Sequence, residues 1–203
     1  MPAKTTENSK RALVLASTSR YRRTLLERLG LPFEVIAPNI DETPRANETP
    51  AVTAIRLAEA KARAVAERLS NALVIGSDQI ADLDGAPVGK PGDHERAATQ
   101  LRALSGRTII FHTGVALCDA DSGRCRSVLV DVASTFRRLT DAEIEAYLRR
   151  EMPYDCAGAV KSERLGIALF ERIESDDPTA LIGLPLIAVV ELLRAEGESV
   201  LAW

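Results

Sequence analysis

What this sequence has little of narrows its chemistry first. Cys118, Cys125 and Cys156 are the only cysteines and His94 and His112 the only histidines among 203 residues. No Cys-x-x-Cys spacing occurs, so neither a disulfide framework nor a zinc site is expected, and the cysteines read as small core or surface residues suited to a reducing compartment. The two histidines stand far from any metal-ligand spacing. No apolar run approaches the roughly 18 to 20 residues that span a bilayer. Residues 1–10 are too polar for a secretory leader and read as a loose tail. Nor is there a basic excess: the net charge of −3 argues against a general nucleic-acid coat, so any basic site must be local. The Gly85 to Gly89 stretch matches neither a Walker A loop nor a dinucleotide fingerprint. No internal repeat or low-complexity linker divides the chain. With 46% hydrophobic residues, a sizeable core is expected over residues 11–203, which read as a single domain.

What is present begins with Leu13-Val14-Leu15-Ala16-Ser17-Thr18-Ser19-Arg20-Tyr21-Arg22-Arg23. An apolar strand breaks into hydroxyl residues and then into a basic helix start. Unpaired backbone N–H groups and the positive end of the helix dipole make such a turn an anion site, which Ser17, Ser19, Arg22 and Arg23 would complete. Leu25, Leu26 and Leu29 mark one face of the helix and Gly30 its stop.

Residues 31–37 read as a short strand ending at Pro38. Thr49 and Pro50 then fit the N-cap and first position of a long helix. Its apolar stripe runs through Val52, Ile55, Ala58, Ala62, Val65, Ala66 and Leu69 and leaves Lys61 off centre. Leu73-Val74-Ile75 ending in Gly76 suits a buried central strand presenting Asp78 at its end. A hairpin is expected at Asp84-Gly85, and a helix from Asp93 to Leu104. Two long antiparallel strands should flank the turn at 119–123. Thr140 and Glu143 form a capping-box pattern. Residues 166–170 read as a strand and 186–195 as a last helix. Strands separated by helices alternate with strands separated by turns, which predicts a mixed α/β fold and excludes a purely parallel sheet.

The opening motif resembles the N-terminal signature of the Maf family of nucleoside triphosphate pyrophosphatases, Leu-Ala-Ser-x-Ser-Pro-Arg-Arg, with Arg20 in place of the proline and Tyr21 in place of the first arginine. The resemblance continues through Ile40-Asp41-Glu42-Thr43, Ile75-Gly76-Ser77-Asp78-Gln79, Gly89-Lys90-Pro91, Leu104-Ser105-Gly106 and Gly183-Leu184-Pro185-Leu186, covering nearly the whole chain. It implies an elongated α/β fold, with a mixed, twisted sheet flanked by helices, related to inosine triphosphatases. A cleft between two lobes and a possible homodimer go with it.

Ser17, Ser19, Arg22, Lys61 and Lys90 are phosphate-binding candidates, as hydroxyls and cations suited to phosphate oxygens. The resemblance further implies Asp78 as proton acceptor, with Ser17, Arg22, Glu42, Lys61 and Lys90 at other active-site positions, Glu42 and Lys90 being read as catalytic. Glu42 and Asp78 would hold a divalent cation, Mg²⁺ or Mn²⁺. Within the family, Tyr21, Gln79 and Glu163 resemble the base-selecting residues of the branch acting on 7-methyl-GTP. A methylated, cationic guanine suits an aromatic face with a carboxylate nearby. The expected substrate is therefore a nucleoside triphosphate, handled in the cytoplasm, with no nucleic-acid polymer or membrane as partner. Alternatives are a pyrophosphatase for UTP, dTTP or other nucleotides, and a nucleotide-binding regulator of septum formation.

Overall fold

Three strands of twelve residues each form the centre of the sheet: β3 (Ala72–Leu83), β5 (Thr108–Asp119) and β6 (Cys125–Phe136). The structure, a computed structural model, describes residues 11–203; the expected tail at 1–10 lies outside the described residues. Shorter strands β1 (Ala12–Ala16), β2 (Glu34–Ile36), β4 (Ala86–Val88) and β7 (Phe170–Glu174) complete a seven-stranded sheet of order β2-β1-β3-β5-β6-β7, with β4 paired to β3. β1 runs parallel to β2 and β3, whereas β3, β5, β6 and β7 are successively antiparallel. The mixed sheet expected from the order of elements is therefore present.

Helices cover both faces. Helix α2 (Pro50–Ala66) packs on one face against Val14, Ala16, Val74 and Ala116. Helices α1 (Arg20–Glu27) and α5 (Leu186–Ala195) pack on the other against Leu13, Leu15, Leu73 and Ile75. This is the period-two alternation of a strand buried on both sides. A further core around Leu101, Phe111, Phe136 and Leu148 is capped by α3 (His94–Leu104) and α4 (Asp141–Glu151). The expected caps form: Ser19, Thr49 and Asp93 each accept from a first-turn backbone N–H, and Thr140 and Glu143 close a capping box.

Four local expectations change. The buried face of α2 runs through Pro50, Thr53, Ala54, Leu57, Ala58, Lys61, Ala62, Val65 and Ala66, while Val52 is 53% exposed. Two glycines of the sheet decide this rotation. A Cβ at Gly76 would run into the carbonyl oxygen of Ala58, and one at Gly114 would stand 2.5 Å from that of Ala54. The small residues of α2 seat there, carrying Lys61 inward with them. β3 also continues well past Gly76, so Asp78 lies within the strand rather than at its end.

Residues 165–169 form a 3₁₀ turn, and the strand begins only at Phe170. Gly166 donates to the Lys161 carbonyl at 3.1 Å and sits against that backbone, which bends the chain away from extension. Finally, Cys118 and Cys125 are joined as a disulfide, where unpaired cysteines were expected. They are seven residues apart in sequence, but the β5–β6 register makes them direct cross-strand partners. Their pattern thus ceases to argue for a reducing compartment.

Candidate active site

The sheet opens at β3. Pairing with β1 ends at Ala16↔Gly76, and pairing with β4 starts on Ala81. Residues 77–80 lie between these two contacts, paired with β5 on the opposite edge. Beside this gap, β1 gives way to Ser17–Ser19 and the start of α1, and the 42–44 loop and α2 close in from another side. The result is a cleft of about 760 Å³.

Alternation along β3 divides the labour of three consecutive residues. Asp78 faces α2, where the Lys61 ammonium donates to its Oδ1 at 2.6 Å. The same Nζ stands 2.9 Å from Glu42 Oε1. Asp78 and Lys61 are only 7% and 5% exposed, whereas the Glu42 side chain reaches into solvent. A buried ion pair of this kind is retained when its partners meet at close range, since an isolated charge there carries a desolvation cost of several kcal/mol.

Ser77 and Gln79 face the opposite way, onto the chain at 180–183. Ser77 Oγ bonds the carbonyls of Gly114 (2.8 Å) and Gly183 (3.0 Å). The Gln79 amide nitrogen donates to Thr113 Oγ1 and Ala180 O, both at 2.9 Å, and to Leu181 O at 3.2 Å. That commits its donors and leaves its carbonyl oxygen as the group to meet a ligand. Asp177 secures the same connection: its Oδ1 accepts from the Thr179 backbone N–H at 2.9 Å and its Oδ2 from that of Ile187 at 2.7 Å.

The hydroxyl turn takes the form expected for an anion site. Ser17 Oγ accepts from the Ser19 N–H at 3.1 Å, and Ser19 Oγ accepts from the Arg22 N–H at 3.4 Å. A hydroxyl that accepts keeps its own O–H to donate, so capping and ligand binding are compatible. Arg22 is held by its Nε bond to Gly183 O at 2.8 Å. Burial lowers its pKa from the ordinary value, against the opposing pull of Asp78 and Glu42. Arg23 departs from expectation: it is exposed and pairs with Glu27 at 3.0 Å, one helical turn on, outside the cleft lining.

Lys90 stands exposed at the rim, where it lines both the main cleft and an adjoining cavity of about 150 Å³. Tyr21, Gln79 and Glu163 line that smaller cavity. Burial raises the Tyr21 hydroxyl above its ordinary pKa, against the Arg20 hydrogen bond. The fold thus places ten of the eleven expected site residues, all but Arg23, around two adjoining spaces. Three neighbours escaped the sequence reading: Ser77, Thr113 and Asp155. The strand period places Ser77 on the face opposite Asp78, but only the sheet register brings Thr113 to Gln79, and only the tertiary fold brings the 180–183 connection to Ser77 and Gln79.

The donor set suits a hard divalent cation. Two carboxylates, Glu42 and Asp78, converge on one point, now taken by the Lys61 ammonium, and they border hydroxyls and cations suited to phosphate oxygens. Magnesium is commonly held by one or two carboxylates completed by substrate phosphates and water, rather than by an all-protein cage. Among the described residues, no group of three or more His, Cys, Asp or Glu side chains forms such a cage. No helix among them is long and apolar enough to cross a membrane.

A buried carboxylate and lysine at a break in a mixed sheet, bordered by a helix N-terminus and by Arg22 and Lys90, define an α/β protein with a site suited to anions. The chain belongs to the Maf family, whose description "Maf-like protein" matches residues 12–196. A relative from Polaromonas sp., named 7-methyl-GTP pyrophosphatase, is 60% identical over 192 residues, covering 95% of this chain and 88% of its own. One of the same name from Thiobacillus denitrificans is 59% identical over 191 residues, covering 94% and 95%. A solved structure titled as a HAM1 protein from Coxiella burnetii aligns at 21% identity with a TM-score of 0.43, over 64% of this chain and 74% of that one.

Proposed function

We propose that this protein is a nucleoside triphosphate pyrophosphatase that hydrolyses 7-methyl-GTP to 7-methyl-GMP and diphosphate, clearing a modified nucleotide from the pool. The carrying observation is the small cavity bearing Tyr21, Gln79 and Glu163, which adjoins the cleft of Asp78 and Lys61. The name shared by relatives near 60% identity supports the same substrate. On this reading residues 11–203 act as one catalytic domain, in the cytoplasm where nucleotides are held, and as a homodimer.

The triphosphate carries about four negative charges, which must be offset and held in line for attack. Ser17 and Ser19 donate hydroxyls, Arg22 offers a directional guanidinium, and Lys61 and Lys90 act as point charges. Asp78 accepts a proton from the attacking water as its oxygen bonds the α-phosphorus, while the bond to the bridging oxygen breaks and diphosphate leaves. The short contact from Lys61 orients the Asp78 carboxylate for that role. A bound Mg²⁺ or Mn²⁺, held by Glu42 and Asp78, would neutralise phosphate charge. In the base cavity, Tyr21 presents an aromatic surface, while Gln79 and Glu163 accept from the N–H groups of guanine.

The test is product chromatography across 7-methyl-GTP, GTP, UTP, dTTP and CTP, with and without a chelator. Metal-dependent release of 7-methyl-GMP and diphosphate, with 7-methyl-GTP preferred, is expected. Orthophosphate as the primary product overturns the bond assignment, and preference for UTP or dTTP overturns the base assignment.

A further inference from the structure

Asp155 reaches both cavities without belonging to the set read from the sequence. Its two oxygens have different surroundings. Oδ1 lies 3.6 Å from the buried Lys161 ammonium and 3.5 Å from Cys156 Sγ. Lys161 is fixed in turn by bonds to the carbonyls of Glu151 (3.3 Å) and Met152 (3.4 Å). Oδ2 faces the Arg20 guanidinium at 3.6 Å. Burial pushes the Asp155 carboxyl up and Lys161, Cys156 and Arg20 pull it down, with the balance below its ordinary value. The carboxylate is therefore anchored from behind through one oxygen and offers the other to a cation at the front.

The cation now at the front has a telling shape. Arg20 lies over the Tyr21 ring, 4.9 Å from its centroid, and its Nη2 donates to the phenolic oxygen at 2.8 Å. A guanidinium is planar, delocalised and positive, with N–H donors along its edge. A 7-methylguanine base shares each of those properties: its ring carries delocalised positive charge, and N1–H and the exocyclic amine repeat the guanidine donor pattern. An aromatic face with an adjacent carboxylate fits either occupant.

We propose that Asp155 is a further specificity-determining residue, the second carboxylate of a cationic-base subsite, and that Arg20 is a built-in competitor occupying that subsite until the base displaces it. The proposal rests on the 7-methyl-GTP reading for the identity of the base. Arg20 contributes here as a placeholder: its exposed side chain, held by one stacking contact, one hydrogen bond and a 3.6 Å ion pair, can swing into solvent at small cost. The exchange keeps the charge balance of the subsite, one cation replacing another beside the same carboxylate.

Calorimetric titration with 7-methyl-GMP and GMP tests this without relying on turnover. Arg20→Ala is expected to tighten 7-methyl-GMP by about twofold to fivefold, the size of an exposed cation–π contact, and to move GMP less. Asp155→Asn, which keeps side-chain volume, is expected to weaken 7-methyl-GMP by about threefold to tenfold and again to move GMP less. Equal shifts for both nucleotides in either variant, or weaker 7-methyl-GMP binding in Arg20→Ala, overturn the proposal. Failure of the broader reading looks different: the wild-type protein would bind GMP as tightly as 7-methyl-GMP. Thermal melting of both variants beside wild type establishes that the fold is intact, and Arg20→Gln supplies a second uncharged variant on which the same tightening is expected.

Discussion

Lys61 and Asp78 meet at 2.6 Å although 17 residues separate them in sequence, one from a helix and the other from the central strand. Neither is a surface group, and the contact joins the packing of α2 to the chemistry of the cleft. Because Lys61 also approaches Glu42, the ammonium ties a buried carboxylate to one at the cleft mouth.

Replacing Asp78 with asparagine keeps the side chain's shape but removes its basicity and charge. Turnover is expected to fall by roughly 10² to 10⁴-fold, with nucleotide binding still measurable. Steady-state kinetics alongside equilibrium binding separates the two quantities. Near-wild-type turnover would remove Asp78 from the mechanism. Lys90→Ala should also slow turnover, through weaker stabilisation of phosphate charge.

The seat of α2 is testable away from any charged group. Gly114→Ala places a methyl against the Ala54 carbonyl, and Gly76→Ala places one against Ala58 and 2.7 Å from the Ala62 nitrogen. Each is expected to destabilise the protein by about 1 to 3 kcal/mol, the range for overpacking in a filled interior. Thermal denaturation measures this. Gly76→Ala should also reduce activity in protein that remains folded, because it displaces the helix carrying Lys61; unchanged melting temperatures would show that the helix yields freely.

Base recognition predicts unequal losses. Tyr21→Ala and Glu163→Ala should each lower kcat/KM for 7-methyl-GTP more than for UTP. The aromatic contribution of about 0.5 to 2 kcal/mol corresponds to a several-fold to tens-fold loss of preference. Removing Glu163 leaves guanine donors without an acceptor, a penalty UTP does not share. Equal losses on both substrates would place these residues in the common phosphate site instead.

Acid should weaken the fold through two paired, partly buried carboxylates. Glu143 is held down to about 2 by the Thr140 backbone and by Arg137, and Glu48 to about 2 chiefly by Arg56. Each has an ordinary value of 4.5, so its stabilising contribution is complete above that pH and is lost as pH falls toward 2. Glu143→Gln should therefore melt below wild type at neutral pH, with the two curves converging as pH approaches 2. Melting temperatures taken across that window decide the matter, and parallel curves would contradict the assignment.

Much of the frame was legible because its signals are local. Ser19, Thr49, Asp93 and Thr140 mark helix starts through bonds spanning three residues, and such bonds do not depend on what lies across the molecule. Asp84-Gly85 likewise sets the β3–β4 hairpin. The burial of Lys61 was not legible, because the apolar residues of α2 admit more than one rotation and the glycines that select among them belong to other strands. Arg23 was drawn into the anion site by adjacency, whereas its direction on the helix sends it to Glu27.

The sequence by itself determined where the five α-helices begin and which residue types meet at the hydroxyl turn. Those properties follow from backbone periods and caps that act within a few residues. Only the tertiary structure decided that Lys61 meets Asp78, that the Gln79 donors are spent on residues 180 and 181, that Cys118 faces Cys125, and that Asp155 stands between Lys161 and Arg20. Each of these is a contact set by sheet register, by how closely a helix can approach the sheet or by how a loop folds back, and none follows from a backbone period or a cap.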